Sequence, residues 1–166
     1  IYNANAVRNV HEAHLLIEEQ STVGSRLSPA LIREINRLIE SDMNESRSPG
    51  DFRKIDVQIT GAHQSPPNWA EVPDLVADLC DAIELLSIHP IAAAALAHWG
   101  VARIHPFENG NGRTARLVQD FILIRNKYLP VGVPGAKRLQ YYDALSEADE
   151  GDFQPLIELV ASTQLA

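Results

Sequence analysis

Cysteine is nearly absent from the sequence. Cys80 is the only one in 166 residues, so no intrachain disulfide can form, which suits a reducing compartment. It lies in an apolar helical stretch and reads as a small core residue. No apolar run approaches the ~20 residues of a membrane-spanning helix. The expectation is a cytoplasmic protein with no membrane partner, and delivery into another cell fits the same composition. The chain starts at Ile1 with neither a Met nor a signal-peptide pattern, as a fragment of a longer protein would. Basic residues are also scarce: 14 Lys+Arg stand against 22 Asp+Glu, a formal net charge of -8. That balance argues against nucleic acid as a partner, because its phosphates call for basic patches. A small nucleotide is still admissible if a few local cations and backbone N–H groups meet its phosphates. Repeats and low-complexity tracts are missing. The six His form no HExxH-like set. His11 and His14 share a helix face, but Glu12, Glu18 and Glu19 beside them mark a solvated surface, so a metal hydrolase is disfavoured.

What remains is a globular composition, 45% apolar, long enough for one domain with a sizeable core. Most of it has helical period. Ser28-Pro29 reads as an N-cap followed by proline at the first helical position, and Leu31, Ile32, Ile35, Leu38 and Ile39 then form one stripe. Leu75, Val76, Leu79, Ile83 and Leu86 form another. A helix from Pro90 to about Arg103 and one from Gly112 to about Lys127 are apolar nearly all round, so both are expected to be central. Further helices are expected at about 6–19, 137–148 and 153–163. The exception is 49–67. There Ile55, Val57 and Ile59 alternate with polar residues at strand period, between Pro49-Gly50 and Pro66-Pro67. The reading is a single all-α domain over 1–166, with N-terminal helices in 1–48, a core in 49–163 and one small β-hairpin. A lone hairpin is marginal in water, so it must lean on the helices or await a partner strand.

Between the two central helices stands HPFENGNGRTAR, His105 to Arg116. Gly110-Asn111-Gly112 opens directly onto a helix. Small residues let backbone N–H groups approach an anion, and the helix N-terminus adds its dipole and free donors. Arg113 and Arg116, three apart, share a face and suit a polyphosphate. His105, just before the loop, can exchange a proton near neutral pH as a general base does. A glycine-rich loop alone can be a mere connection, and two Arg on one face can simply be solvated or paired, here with Asp120. The joint spacing of His, Pro, Phe, Asn, two Gly and two Arg is much harder to attribute to a connection.

The segment resembles the Fic family signature, H-P-F-x-(D/E)-G-N-G-R-x-x-R, and departs from it at one position. Gly50-Asp51-Phe52-Arg53 and the alternating stretch resemble the family's GxFR and target-binding flap. His89-Pro90 and Ala94 to His98 resemble the helix before the motif. Tyr141-Tyr142, Leu145 and Gly151-Asp152 resemble the segment after it. The resemblance implies a helical Fic fold with a hairpin flap. It also implies a protein adenylyltransferase that passes AMP from ATP to a Ser, Thr or Tyr hydroxyl of a target protein. His105 would be the base. Gly110, Asn111 and Gly112 would hold the α- and β-phosphates, with Arg113 on phosphate oxygens and Arg116 at the γ-phosphate. Tyr142 and Asp149 would lie by the adenine, where the family often has Asn in place of Asp149. Ile55, Val57 and Ile59 would form the flap that receives the target.

The departure is Asn109, where the family has the acidic residue that holds Mg²⁺. The metal, Mg²⁺ or Mn²⁺, would then be bound more weakly through Asn109, or through Glu108 in a shifted loop. Otherwise the chain is a nucleotide-binding interaction module with impaired catalysis. Transfer of another phosphate-linked group is a further alternative. The family is often restrained by a helix carrying S/T-x-x-x-E-G/N. Ser146–Gly151 fits that spelling and Ser41–Ser46 fails at its last position, so the restraint is expected upstream of Ile1 or in a partner.

Overall fold

The computed structural model describes residues 4–43, 47–132 and 135–165. Within them run seven α-helices: α1 Ala4–Thr22, α2 Pro29–Ile39, α3 Val72–Leu85, α4 Pro90–Ile104, α5 Asn111–Arg125, α6 Arg138–Asp149 and α7 Gln154–Gln164. Short 3₁₀ turns at Trp69–Glu71 and Gly135–Lys137 lead into α3 and α6. None of the described helices is long and apolar enough to cross a membrane.

Local chemistry accounts for the ends. The Ser28 hydroxyl accepts from Leu31 N at 3.2 Å and Pro29 follows it, fixing the start of α2. The C-terminus of α2 is closed from α1. Buried Asn9 donates to the carbonyls of Ile39 (3.3 Å) and Ser41 (2.5 Å), which a helix end otherwise leaves unsatisfied. Pro90 opens α4, with the His89 ring accepting from Ile91 N at 3.2 Å.

Helices α4 and α5 are the central pair, as their all-round apolar character requires. On one side α1 and α2 pack on α5, and on the other α3, α6 and α7 pack on α4. Gly100 permits the close approach of α3 to α4, since a Cβ there would fall 2.5 Å from Leu79 Cδ1. The six-residue connection between α4 and α5, which carries the motif, therefore emerges from the middle of the bundle.

The expected hairpin is not formed: no strand occurs among the described residues. Residues 51–67 run as a loop with a turn at Ile59–Ala62, where Ala62 N donates to Ile59 O at 3.1 Å and Gly61 has φ +82°. The outgoing limb carries the strand pattern, but the returning limb contains Pro66 and Pro67, which offer no N–H to a ladder. Side chains anchor the loop instead. Asp56 accepts from Trp69 N at 2.8 Å and from Asn68 Nδ2 at 3.3 Å. Ile55 is exposed, and Val57 and Ile59 are partly buried.

Candidate functional site

Helix α4 ends at His105 because Pro106 disfavours helical backbone before it. His105 takes the left-handed conformation (φ 52°, ψ 58°), a strained one for a residue with a Cβ. Its N–H donates to Val101 O at 2.9 Å. Burial holds its imidazole below the usual histidine range. A hydrogen bond to the Ala102 backbone opposes that shift and the Arg53 charge adds to it. The ring is therefore neutral at pH 7, the form that accepts a proton.

The loop beyond is fastened inward. Phe107 is buried against Phe52, with ring centroids 5.7 Å apart. The Asn111 side chain binds Phe107 twice, accepting from its N and donating to its O, both at 2.9 Å. That amide is a staple, and what Asn111 offers a ligand is its backbone N–H at the start of α5. Buried Asn36 of α2 donates to Asn109 O (3.0 Å) and Thr114 Oγ1 (3.2 Å) and accepts from Gly50 N (2.9 Å).

The two glycines differ. Gly110 has φ 76°, and a Cβ on it would lie 2.5 Å from Glu40 Oε1. Gly112 is open, and its Cβ would meet only Arg116 Nη2 at 3.9 Å. The α5 amides from Asn111 to Arg113 have no acceptor inside the helix, and Gly112 keeps their approach clear.

One cavity of about 540 Å³ collects much of the expected site. His105, Gly112, Arg116, Tyr142 and Asp149 all line it. Ile59 borders it from the loop. Gly110, Asn111, Arg113, Asn109, Glu108, Ile55 and Val57 are not among its lining residues. Arg113 turns away to buried Glu40 at 2.5 Å, and together with Arg116 it lines a second cavity beside His14 and Asp120.

Two wall residues, Trp99 and Arg103, escaped the sequence reading. Trp99 Nε1 donates to Asp149 Oδ1 at 2.9 Å, and Arg103 Nε stands 3.8 Å from the same oxygen. Arg103 also donates to Ser65 O (2.7 Å) and Gln64 Oε1 (3.0 Å), which ties the loop to the base of the cavity. Tyr141 is buried with its hydroxyl 2.8 Å from His98 Nε2. The periodicity of α4 marked Trp99 only as core, and nothing local joins it to a carboxylate fifty residues away.

Among the described residues no group of three His, Cys, Asp or Glu is placed to hold a metal. Glu108 is exposed and Asn109 partly buried, so the oxygen-bearing side chains at this point of the loop are one carboxylate and one amide. That set fits a divalent cation arriving with phosphates, which would supply most of its ligands. Of the two inhibitory spellings, residues 44–46 of the first lie outside the described residues. Glu150 of the second is exposed and accepts from Gln64 Nε2 at 3.5 Å.

The Fic/DOC family model matches residues 26–123. Over 113 residues the chain is 38% identical to the protein adenylyltransferase Fic of Drosophila grimshawi, covering 68% of this chain and 23% of that protein. It thus spans under a quarter of the length of the curated relatives it matches. Its fold superposes on Fic-1 from C. elegans with a TM-score of 0.81 at 30% identity, over 96% of this chain and 48% of that one. A Fic domain containing signaling protein from Bacteroides thetaiotaomicron gives a TM-score of 0.87 at 24% identity, over 97% and 68%. With the family match running through the loop and both helices that carry it, the chain belongs to the Fic/DOC family.

Proposed function

We propose that this chain is the catalytic domain of a protein adenylyltransferase, moving AMP from ATP to a hydroxyl side chain of a protein target. The observation that carries the reading is the shared cavity. It puts the His105 imidazole, the N-terminal turn of α5 with its open Gly112, the Arg116 guanidinium, and Tyr142 with Asp149 on the wall of one cavity.

ATP would lie with its phosphates over Gly110–Gly112 and its base near Tyr142 and Asp149. His105 takes the proton of the target hydroxyl, the oxygen attacks the α-phosphorus in line, and pyrophosphate leaves. Such a transfer depends on positioning and charge neutralisation. Glu40 already balances Arg113, so Arg116 supplies most of the side-chain charge, reaching the γ-phosphate. The Asp149 carboxylate accepts only, so it favours a base with an amino donor, as adenine has. A divalent cation, Mg²⁺ or Mn²⁺, would neutralise phosphate charge, held by Asn109 with Glu108 as the alternative ligand. The target would lie along Ile55, Val57 and Ile59, adding the strand that the loop lacks. An inhibitory helix upstream in the natural protein, or in a partner, would act on Arg116.

Asn109 favours one second reading, a nucleotide-binding module with weak catalysis. The two separate on incubation with α-labelled ATP, Mg²⁺ or Mn²⁺ and a cell extract. Label entering protein from the wild type but not from His105→Ala supports the transferase. ATP binding without label transfer supports the module.

A further inference from the structure

Arg53 is an unusual residue to find where it is. Its side chain is wholly buried, and its one ion pair among the described residues is with Asp56, which is exposed and 3.7 Å away. Burial pulls its pKa below the ordinary arginine value, with Asp56 acting the other way. What compensates the buried cation is backbone. Nε donates to His105 O at 2.8 Å, Nη1 to Ile55 O at 2.8 Å and Nη2 to Pro67 O at 2.6 Å, with Ile104 O at 3.4 Å from Nη2. The Arg53 N–H adds a bond to Pro106 O at 2.9 Å. One planar fork thus grips both ends of the 55–67 loop and the carbonyl of the strained histidine.

We propose that Arg53 is a positioning residue that registers the target-binding loop with His105, so that an acceptor hydroxyl arrives in line with the imidazole. This rests on the reading of His105 as the base. The geometry supports it in two ways. The left-handed His105 backbone needs outside restraint, and Arg53 holds the carbonyls of two consecutive residues, His105 and Pro106. The Ile55 carbonyl belongs to the limb that lacks a partner strand, so a docked peptide would pull on the same guanidinium. A lysine could reach one of these carbonyls but could not hold them in one plane.

The test uses Arg53→Lys and Arg53→Met in the full chain, with His105→Ala as control. The probe acceptor is a pool of extended peptides each carrying one Thr, with α-labelled ATP. Both Arg53 variants should bind ATP within about threefold of wild type, yet lose about 10²-fold in kcat, the scale of a small misplacement, with a raised KM for peptide. NMR titration of the His105 imidazole gives a readout independent of turnover. The charge acting on that ring is Arg53 from the loop side, and the other charged residues lining the same cavity are Arg103 from α4, Arg116 from α5 and Asp149 from α6. Arg53→Met removes only the first, so the His105 pKa should rise. If it does not fold, Arg53→Lys carries the kinetic test and should show altered His105 and Ile55 resonances.

Wild-type kinetics and an unchanged His105 environment in a folded Arg53 variant would overturn the proposal. Full activity of His105→Ala would instead sink the assignment of the base. If the wild type modifies no peptide, the NMR comparison alone decides: unmoved resonances refute the coupling.

Discussion

Glu40 Oε1 stands 2.5 Å from Arg113 Nη2, and the Glu40 side chain is fully buried while that of Arg113 is 29% exposed. The pair joins the end of α2 to the first turn of α5, in the space a side chain on Gly110 would need. Arg113→Ala removes the guanidinium that faces a buried carboxylate. It should cost on the order of 3 kcal/mol, the low end for a broken buried pair because Arg113 keeps some exposure. Arg116→Ala, on an exposed residue, should leave stability nearly unchanged and weaken ATP binding more than Arg113→Ala does. Thermal unfolding and calorimetric titration of the two variants check both halves.

The two loop glycines should fail differently. Gly110→Ala combines a left-handed backbone, worth about 1–2 kcal/mol, with a clash against Glu40, so it should lower the melting temperature clearly. Gly112→Ala meets open space and should fold normally, but its methyl group narrows the approach to the α5 amides and should reduce ATP affinity. Equal melting temperatures for the two variants would contradict the assignment.

Acid stability should show two opposed groups. Burial, with the Arg116 charge, lowers His98 from 6.5 to about 3, so its contribution is present above 6.5 and lost as pH falls toward 3. The lowered pKa of His105 adds a loss of the same sign. Burial raises Asp120 from 3.8 to about 6, against the Val131 N–H and the Arg116 charge, so its contribution is present below 3.8 and lost as pH rises through 6. Between about pH 4 and 6 the carboxyl offsets the histidines. Asp120→Asn removes that offset, and its melting temperature should fall more steeply than wild type from pH 6.5 to 4. Parallel curves would refute the role of Asp120.

Asn109→Asp restores a charged oxygen at the acidic position of the signature. Mg²⁺-dependent ATP binding should tighten, most at low Mg²⁺, while Mn²⁺, which accepts neutral ligands more readily, should partly rescue the wild type. Glu108→Gln tests the other oxygen. Loss of metal dependence in Glu108→Gln with no gain in Asn109→Asp would mean that the loop binds through Glu108.

The helices were legible because each shows its period locally: the stripe of α2 and the all-round apolar α4 and α5 specify both helix and depth. The hairpin was not. Alternation at Ile55, Val57 and Ile59 reports an extended chain, but a strand also needs a partner, and Pro66 and Pro67 withhold one. The motif singled out His105, Gly112 and Arg116 by spacing, and these three line one cavity. It could not show that the Asn111 side chain is spent on Phe107 or that Arg113 faces Glu40. Those contacts, like Trp99 to Asp149 and Arg53 to His105, join positions far apart in the chain and exist only once the bundle packs.

The most direct test of the account is transfer of label from α-labelled ATP to protein by the wild type and by His105→Ala, with ATP affinity measured on both. The account predicts a loss of at least ~10²-fold in transfer, the low end for general-base catalysis, at nearly unchanged ATP affinity. Transfer that survives intact in His105→Ala would contradict it.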